Sequence, residues 1–485
     1  MTDRKPLTNL ETTFSHLLAR RHSRSLLRRL TIAPPGTVDF SSNDYLSLST
    51  HPEIRSTFLS LLQAPQPITP PPSITGTSNP NAPSQPPPIG SRGSRLLDGN
   101  HPLTVSLESL ISTHHRSPSG LLFNSGFDAN VGLFSTLPQP SDVIVYDELI
   151  HASVHDGMRL SRVAAPRRLA FAHNDVGGLR RVLEGIVGDR EVGEKVRAGK
   201  ANVFVAVEAV YSMDGDVAPL RAMLDLVDEM LPKGNGYVIV DEAHATGVFG
   251  GAGGRGLTCE LGVEDRVFAR VVTFGKALGS QGAIVLCSPI TRSYLINYAR
   301  TLIYTTALSH PSLASIAATY DFLIAGKTTP LLTHLHTLIR TTHALLTALI
   351  ARLPPNTTTT PLLSLAPLPA NPSPIVPLFT PHPRALAAHC QAAGYTVRAI
   401  VAPTVPHGAE RVRVCLHAGN TVEEVRGLVR AVEGWVEARL KEEGGVGGGG
   451  VLLPSSSSLS SEEERVGGGG GSVVAGRAVL EKARL

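Results

Sequence analysis

The segment VIVDEAHATG, residues 238–247, is a short apolar run that ends in a carboxylate and an imidazole, Asp241 and His244. A near-continuous apolar run of this length is typical of a strand that is buried on both faces of a parallel sheet. Helical patterns such as residues 218–231 separate it from similar runs. Those runs are NVFVAVEAVYS (202–212), RVVTFGKALG (270–279) and GAIVLCS (282–288). The alternation predicts a mostly parallel α/β sheet.

The pattern of helical and strand-like segments changes after the runs that predict this sheet. A long helical pattern at 332–353 precedes short strand-like runs and a helix at 421–441, which predicts a smaller α+β domain. The Pro-rich stretch 64–89 and the Gly/Ser-rich stretch 444–475 carry too little apolar surface to offset the entropy of ordering. The predicted order is an N-terminal helix and arm (1–63), a disordered insertion (64–89), a large domain (90–309), a small domain (310–443) and a flexible tail (444–485).

Composition excludes several classes of protein. A hydrophobic content of 42% with 17% charged residues indicates a globular chain and not a disordered one. The net charge of +4 is small, and no basic patch interleaves with aromatic residues, so no nucleic-acid surface is indicated. No apolar run reaches the ~18 residues of a membrane span. The four cysteines form no C-x-x-C pair and predict buried thiols, without a zinc site or any other metal site.

The two ends carry possible targeting signals. Residues 14–30 are basic and amphipathic, and we expect a surface helix there, with a mitochondrial presequence as the alternative. The final Ala-Arg-Leu is a conservative variant of the Ser-Lys-Leu peroxisomal address. The sequence therefore predicts a peroxisomal location, with the cytoplasm as the alternative.

Polar residues follow the predicted strands where ligands of open parallel sheets bind, at the carboxyl ends. They are His151, Ser212, Asp241, His244, Thr273 and Lys276. A lysine amine can form a Schiff base with an aldehyde cofactor, and a carboxylate can keep a pyridine nitrogen protonated. Hydroxyls and glycine N–H groups suit a phosphate. Together these residue types predict a site for pyridoxal 5′-phosphate (PLP).

An ordered series of motifs carries a family resemblance. It includes FSSNDYLSLS (40–49), GSRGSRLLDGNHPLTVSLE (90–108), VEAVYSMDGDVAPL (207–220) and VVTFGKALGSQGAIVLCS (271–288). The chain resembles the α-oxoamine synthase family of PLP enzymes over most of residues 14–440. The resemblance implies fold type I, the aspartate aminotransferase fold, with a seven-stranded, mostly parallel sheet in the large domain. It also implies a homodimer with shared active sites.

The resemblance implies roles for matching residues around the cofactor ring. Lys276, in TFGKALG, resembles the Schiff-base lysine, and Asp241 resembles the partner of the pyridine nitrogen. His244 and Ser212 resemble groups near the phenolic oxygen, and His151 resembles the histidine that stacks on the ring. The alternative for His151 is a purely structural role.

Further matches concern the phosphate and the substrates. Gly126, Phe127 and Thr273 resemble the phosphate site, to which Thr306 is expected to contribute from the other subunit. Arg413 resembles the arginine that holds the amino-acid carboxylate, because its planar fork suits that role. Arg411 is expected at the surface. Contacts to the acyl substrate are expected from Thr404 and Arg28. Val401 departs from relatives that carry arginine there, so substrate choice stays open.

The resemblance implies a decarboxylating condensation of an amino acid with an acyl-CoA. It favours the biotin-pathway branch, which joins L-alanine to pimeloyl-CoA. The alternatives are a sister synthase that uses other amino acids and acyl-CoAs, and a non-catalytic subunit of the same fold. A helicase suggested by the letters DEAH (241–244) is disfavoured because the sequence lacks G-x-x-x-x-G-K-[ST].

Overall fold

The computed structural model describes residues 8–24, 26–63, 88–354 and 361–444. The chain divides into two compact units, Met1–Thr37 and Val38–Leu485. Most of the predicted insertion and tail lies outside the described residues. The predicted boundary between a large and a small domain at residue 310 stays a prediction.

The first unit contains one helix, α1 (Asn9–Ser23). Thr8 and Glu11 form a capping box at its start, in which each side chain bonds the other residue's backbone N–H. None of its residues is buried within the unit. The helix predicted from residues 14–30 is thus confirmed only as far as Ser23.

The second unit contains the remaining helices and all the strands described. The helices are α2 (Pro52–Gln63), α3 (Pro102–His114), α4 (Gly126–Thr136), α5 (Ala152–Leu160), α6 (Val176–Gly188), α7 (Val192–Arg197), α8 (Leu220–Met230), α9 (Leu257–Leu261), α10 (Pro289–Tyr298), α11 (Arg300–Ile303), α12 (His310–Ile324), α13 (Thr329–Ala351), α14 (Pro383–Ala392) and α15 (Val422–Gly444). The strands are β1 (Val38–Asp39), β2 (Ser119–Phe123), β3 (Val143–Asp147), β4 (Arg168–Phe171), β5 (Val203–Glu208), β6 (Gly236–Asp241), β7 (Ala269–Thr273), β8 (Ala283–Cys287), β9 (Ser364–Leu365), β10 (Ile375–Phe379), β11 (Tyr395–Thr396), β12 (Arg398–Ile400) and β13 (Arg411–Cys415).

The main sheet has seven strands in the order β2-β8-β7-β6-β5-β3-β4. Strands β7, β6, β5, β3 and β4 run parallel, and β8 runs antiparallel to both its neighbours. This confirms the predicted mostly parallel sheet. Its central strands are mainly apolar because both faces are covered: Val203, Val205 and Val207 of β5 enter one core, and Phe204 and Ala206 enter the other.

A smaller antiparallel sheet with the order β12-β13-β10-β9 forms from the C-terminal part, as predicted. Strand β13 lies inside this sheet, paired with β12 on one side and β10 on the other. Every residue of β13 is buried. This strand brings arginine side chains from the C-terminal part toward the loop that follows β5.

Candidate active site

The carboxyl ends of three neighbouring parallel strands meet at one edge of the main sheet. Strand β5 ends at Glu208, β6 at Asp241 and β7 at Thr273, and Glu208 lies opposite Asp241 in the register. Lys276 follows β7 in the loop toward β8. The start of α4 at Gly126 faces Thr273 across this edge.

Asp241 is fixed by two donors. Its carboxylate accepts hydrogen bonds from Asn130 Nδ2 at 2.7 Å and from the Ala243 backbone N–H at 2.9 Å. The same Asn130 amide donates to Ser153 Oγ at 3.0 Å, and that hydroxyl lies 2.8 Å from His151 Nδ1. A hydrogen-bonded chain therefore links Asp241 to His151. Sequence reasoning missed Asn130, although it lies one helical turn after Gly126 on the same face of α4.

His151 caps the start of α5, where its Nδ1 accepts the Ser153 backbone N–H at 3.2 Å. Burial of its ring lowers the pKa of His151, and the nearby Asp241 opposes that effect while Lys276 adds to it. The ring nevertheless keeps an exposed surface. His151 is thus a neutral, oriented imidazole beside Asp241 and Lys276.

His244 connects the strand end to the arginine on β13. The Tyr45 hydroxyl lies 2.7 Å from His244 Nδ1 and 3.1 Å from Asn43 Oδ1. Arg413 Nη2 donates to the same two oxygens, to Asn43 Oδ1 at 3.0 Å and to Tyr45 Oη at 3.2 Å. Burial, with the nearby cationic groups, holds the pKa of His244 well below its ordinary value. Sequence reasoning assigned no role to Tyr45, which lies within the quoted motif FSSNDYLSLS.

The Lys276 amine lies among these groups. Burial lowers its pKa, the carboxyls of Asp241 and Glu208 oppose this effect, and the Arg413 guanidinium lowers the pKa further. A lower pKa increases the fraction of neutral amine, which is the nucleophilic and basic form. The charges of two carboxyl groups and an arginine therefore act on the Lys276 amine, in addition to its burial.

Glu208 is a second carboxyl group that sequence reasoning missed. It is buried beside Asp241, and burial followed by the charge of Asp241 raises the pKa of Glu208 well above its ordinary value. Lys276 and the His151 backbone N–H oppose this shift without cancelling it. Two carboxyl groups at such close range do not both ionise readily. This shift favours the protonated form of Glu208. Its position as the polar last residue of β5 could have identified it.

Two features at the start of α4 suit a phosphate group. A Cβ atom at Gly126 would lie 2.5 Å from Thr273 Cγ2, so only glycine leaves the space between these elements open. Thr273 Oγ1 is buried, and no described residue gives it a hydrogen-bond partner. A helix start and a free hydroxyl are groups that bind phosphate. Phe127 follows Gly126 and is exposed.

Arg413 is buried, and its Nε donates to the Ser212 carbonyl oxygen at 2.6 Å. The role predicted for the Ser212 side chain stays a prediction, because Ser212 contacts Arg413 through its backbone carbonyl. The expectation that Arg411 lies at the surface is wrong. Arg411 is buried, forms an ion pair with Asp214 and lies 4.8 Å from the ring centroid of Phe379. Residues two apart in a strand share a face, so Arg411 points the same way as Arg413.

Three predicted residues make none of the contacts described above. Thr306 is exposed, and its carbonyl accepts Asn124 Nδ2 at 2.7 Å. Thr404 is exposed in the loop after β12, where its N–H donates to the Val401 carbonyl at 3.0 Å. Arg28 belongs to the N-terminal unit. The roles expected of all three stay predictions.

The described part of the chain offers neither a membrane-spanning helix nor a cluster of metal ligands. It contains no helix that is both long and apolar enough to cross a bilayer. It also shows no group of three acidic, histidine or cysteine residues arranged to hold a metal ion.

The residues present fit PLP. Lys276 supplies the amine, Asp241 supplies a carboxylate held by two donors, and His151 supplies a neutral ring. Gly126 and Thr273 supply an open phosphate cradle with an unpaired hydroxyl among the described residues. This combination of amine, carboxylate and phosphate site is the one that PLP uses.

Comparison with known proteins agrees with this geometry. The family model described as aminotransferase class I and II matches residues 35–432. An 8-amino-7-oxononanoate synthase of Emericella nidulans is 52% identical, over 88% of this chain and 96% of that protein. The aminoacyl transferase sphA of Aspergillus fumigatus is 36% identical, over 88% of this chain and 87% of that protein.

Solved structures show the same fold. A serine palmitoyltransferase of Sphingomonas wittichii superimposes with a TM-score of 0.71 at 24% identity, covering 92% of this chain and 100% of that chain. An 8-amino-7-oxononanoate synthase of Francisella tularensis superimposes with a TM-score of 0.61 at 22% identity, covering 84% and 100%. The chain belongs to the aminotransferase class I and II family and, within it, to the PLP-dependent α-oxoamine synthases, which confirms the resemblance found in its sequence.

Proposed function

We propose that this acyltransferase joins L-alanine to pimeloyl-CoA and releases 8-amino-7-oxononanoate, CoA and CO₂, a step of biotin biosynthesis. The observation that carries the proposal is the convergence of Lys276, Asp241 and Arg413. Their proximity is indicated by the pKa of Lys276, which the charge of Asp241 raises and the charge of Arg413 lowers. The choice of substrates is supported by the 52% identity to the Emericella nidulans synthase over 96% of that protein.

Arg413 is the group expected to hold the carboxylate of the amino acid. Its Nε donates to the Ser212 carbonyl, and its Nη2 donates to Asn43 and Tyr45. These hydrogen bonds fix the plane of the guanidinium. Within the described residues no hydrogen bond from Nη1 is recorded, which leaves that nitrogen for a substrate carboxylate. A guanidinium fixed in this way loses little freedom when it binds an anion.

Bound PLP supplies an electron sink for the negative charge that develops at the α-carbon of the amino acid. Asp241, held by Asn130 and the Ala243 N–H, would keep a proton on the ring nitrogen. The neutral amine of Lys276 would accept the α-proton. The α-carbon would then form a bond to the thioester carbon while the C–S bond breaks and CoA leaves as its thiolate. The carboxylate would depart as CO₂, and the protonated Lys276 amine would return its proton to the α-carbon.

The central experiment is a substrate grid. Purified PLP-loaded protein is offered alanine, glycine and serine against pimeloyl-, acetyl- and palmitoyl-CoA, and the release of free CoA is followed. We expect turnover with alanine and pimeloyl-CoA. Turnover with glycine and acetyl-CoA alone would contradict the proposal. Lys276→Ala is the control, because it should lose both turnover and the visible absorbance band near ~420 nm of a lysine-bound PLP aldehyde.

A sister synthase is the second candidate. It is favoured by the 36% identity to the aminoacyl transferase sphA and by the likeness to serine palmitoyltransferases. These structures are similar in fold only, so they do not decide the substrate. Turnover with serine and palmitoyl-CoA in the same grid would select this candidate.

The proposal extends to assembly and location. A homodimer with shared sites is supported by the exposed Thr306, whose expected phosphate contact would come from the other subunit. Sedimentation of the holoenzyme should give twice the chain mass, and a monomer that is active would contradict a homodimer.

The terminal Ala-Arg-Leu supports a peroxisomal address, with the cytoplasm as the alternative. Deleting these three residues should abolish the peroxisomal localisation of an N-terminal fluorescent fusion.

A further inference from the structure

Two buried side chains, Asn130 on α4 and Ser153 on α5, connect the carboxylate and the imidazole of the candidate site. The two helices approach closely at Gly157, one turn after Ser153, where an added Cβ would lie 3.1 Å from the Asn130 carbonyl oxygen. This close packing brings the amide of one helix within hydrogen-bond distance of the hydroxyl of the other. The connection therefore lies inside the protein, where water does not compete for its hydrogen bonds.

The donors and acceptors along this connection can be put in order. The ionised carboxylate of Asp241 only accepts hydrogen bonds, so the amide nitrogen of Asn130 must face it, at 2.7 Å. The second N–H of the same nitrogen donates to Ser153 Oγ at 3.0 Å. The amide cannot be turned over, because its oxygen would then face the carboxylate. Since Ser153 Oγ accepts from Asn130, its own hydrogen is left to donate to His151 Nδ1 at 2.8 Å.

A second contact shows independently that His151 Nδ1 is an acceptor. It lies 3.2 Å from the Ser153 backbone N–H, and a backbone N–H can only donate. Burial lowers the pKa of His151 and so favours the neutral ring. A neutral imidazole whose Nδ1 accepts carries its proton on Nε2. Among the described residues the hydrogen bonds of this ring all go to Nδ1, and the ring keeps an exposed surface.

The partners of the Ser153 hydroxyl distinguish it from a serine that only stabilises a helix. A serine near a helix start usually bonds backbone N–H groups of its own first turn. Ser153 Oγ instead contacts two side chains of the candidate site, the Asn130 amide and the His151 ring. At the other end of α5, Ser161 Oγ bonds the Met158 carbonyl at 2.8 Å, a contact within the backbone of its own helix.

We propose that Asn130 and Ser153 are positioning residues, which fix His151 in the Nε2–H tautomer and so present a hydrogen-bond donor to an oxygen atom of the bound substrate. In this tautomer neither ring nitrogen can take the α-proton, which agrees with the Lys276 amine as its acceptor. The inference rests on the proposed function only for the substrate, because the tautomer is a property of the protein's own residues.

The first arm determines the tautomer by nitrogen NMR of the PLP-loaded enzyme, with isotope-labelled histidine and without substrate. The signals of His151 are identified by their loss in His151→Gln. We expect the wild-type ring to carry its proton on Nε2. Ser153→Ala should raise the fraction of the Nδ1–H tautomer, because only the longer backbone bond then remains. Ser161→Ala is the matched control, since it removes a serine hydroxyl from the same helix and should leave the tautomer as in wild type.

A wild-type ring that carries its proton on Nδ1 would overturn the proposal. An unchanged tautomer in Ser153→Ala would overturn it as well, because the hydroxyl would then have no part in fixing the ring. The measurement on wild type requires no variant, so it decides the matter even if Ser153→Ala does not fold.

The second arm tests whether the connection acts as one unit, with whichever substrate pair the grid selects. Ser153→Ala should lower kcat about tenfold, while Ser161→Ala should not change it. In the Asn130→Leu background the same Ser153→Ala change should have a much smaller effect, because residues of one hydrogen-bonded network are not additive. Equal losses in both backgrounds would overturn the connection. If no substrate pair gives turnover, the proposed function fails, and the tautomer measured in the first arm still decides the positioning role.

Discussion

Replacing His173 with glutamine is predicted to remove a pH-dependent part of the stability of the fold. His173 lies in the loop between β4 and α6, with Nδ1 2.9 Å from Asp147 Oδ1 and Nε2 2.7 Å from Asp216 Oδ2. These two carboxylates raise its pKa to about 10 in spite of the opposing effect of burial, the largest single influence. His173 is therefore a cation at neutral pH.

This cation helps to hold the 211–217 loop, which joins β5 to α8 and carries Ser212. His173 binds the loop at Asp216, Arg411 binds it at Asp214, and Arg413 donates to the Ser212 carbonyl. Three cationic side chains thus hold alternate residues of one loop at the active site. Loss of His173 should weaken the fold and also loosen the loop that orients Arg413.

The magnitude follows from the pKa. The difference between the ordinary value of 6.5 and about 10 corresponds to about 5 kcal/mol, at about 1.4 kcal/mol per pH unit. The ring retains 20% exposure, so solvent screening reduces this to about 3 kcal/mol. Because the folded pKa is the higher one, the stabilisation is fully present below pH 6.5 and is lost as the pH rises through 10.

Urea unfolding of the holoenzyme, followed by circular dichroism at pH 6 and near pH 10, measures this difference. His173→Gln should be less stable than wild type by about 3 kcal/mol more at the lower pH than at the higher. The control is His407→Gln, because His407 is 94% exposed and its loss should change little at either pH. A gap between His173→Gln and wild type that stays constant with pH would refute a charged His173.

Three further changes address the cofactor site. Gly126→Ala should weaken PLP binding at least about tenfold in a spectrophotometric titration, because the added Cβ meets Thr273 Cγ2 at 2.5 Å. Asn130→Leu should lower kcat about 10- to 100-fold, since a hydrogen bond to a charged group contributes about 1.5–3 kcal/mol; an unchanged kcat would show that Asp241 needs no such donor. Glu208→Gln should retain kcat within about threefold near neutral pH, because burial and Asp241 raise the pKa of Glu208; a large loss would show that its charge is required.

A mostly parallel sheet and the position of its site could be predicted from local sequence, whereas the number of seven strands came from the family resemblance. Apolar runs of strand length identified β5, β6, β7 and β8, and the rule that ligands bind at carboxyl strand ends placed Asp241 and Lys276 at one edge. This prediction succeeded because a buried strand can accommodate a polar side chain at few of its positions.

The residues that orient the site could not be predicted in the same way. Asn130 is 111 residues from Asp241, and Tyr45 is 199 residues from His244. Neither partner has a local pattern that signals the contact, because pairing at such separation depends on how α4 and the segment before α2 pack on the sheet. An asparagine inside a helix and a tyrosine in a loop are compatible with many other environments.

The two carboxyl groups at the ends of β5 and β6 show why residue type alone does not determine chemistry. Glu208 and Asp241 lie opposite each other in the register, yet only Asp241 accepts the Asn130 and Ala243 donors. Burial and the neighbouring charge of Asp241 raise the pKa of Glu208 well above its ordinary value. The charges of both carboxyl groups act to raise the pKa of Lys276, against the burial that lowers it. A proton on Glu208 would therefore remove one of the two carboxyl charges that raise the pKa of Lys276.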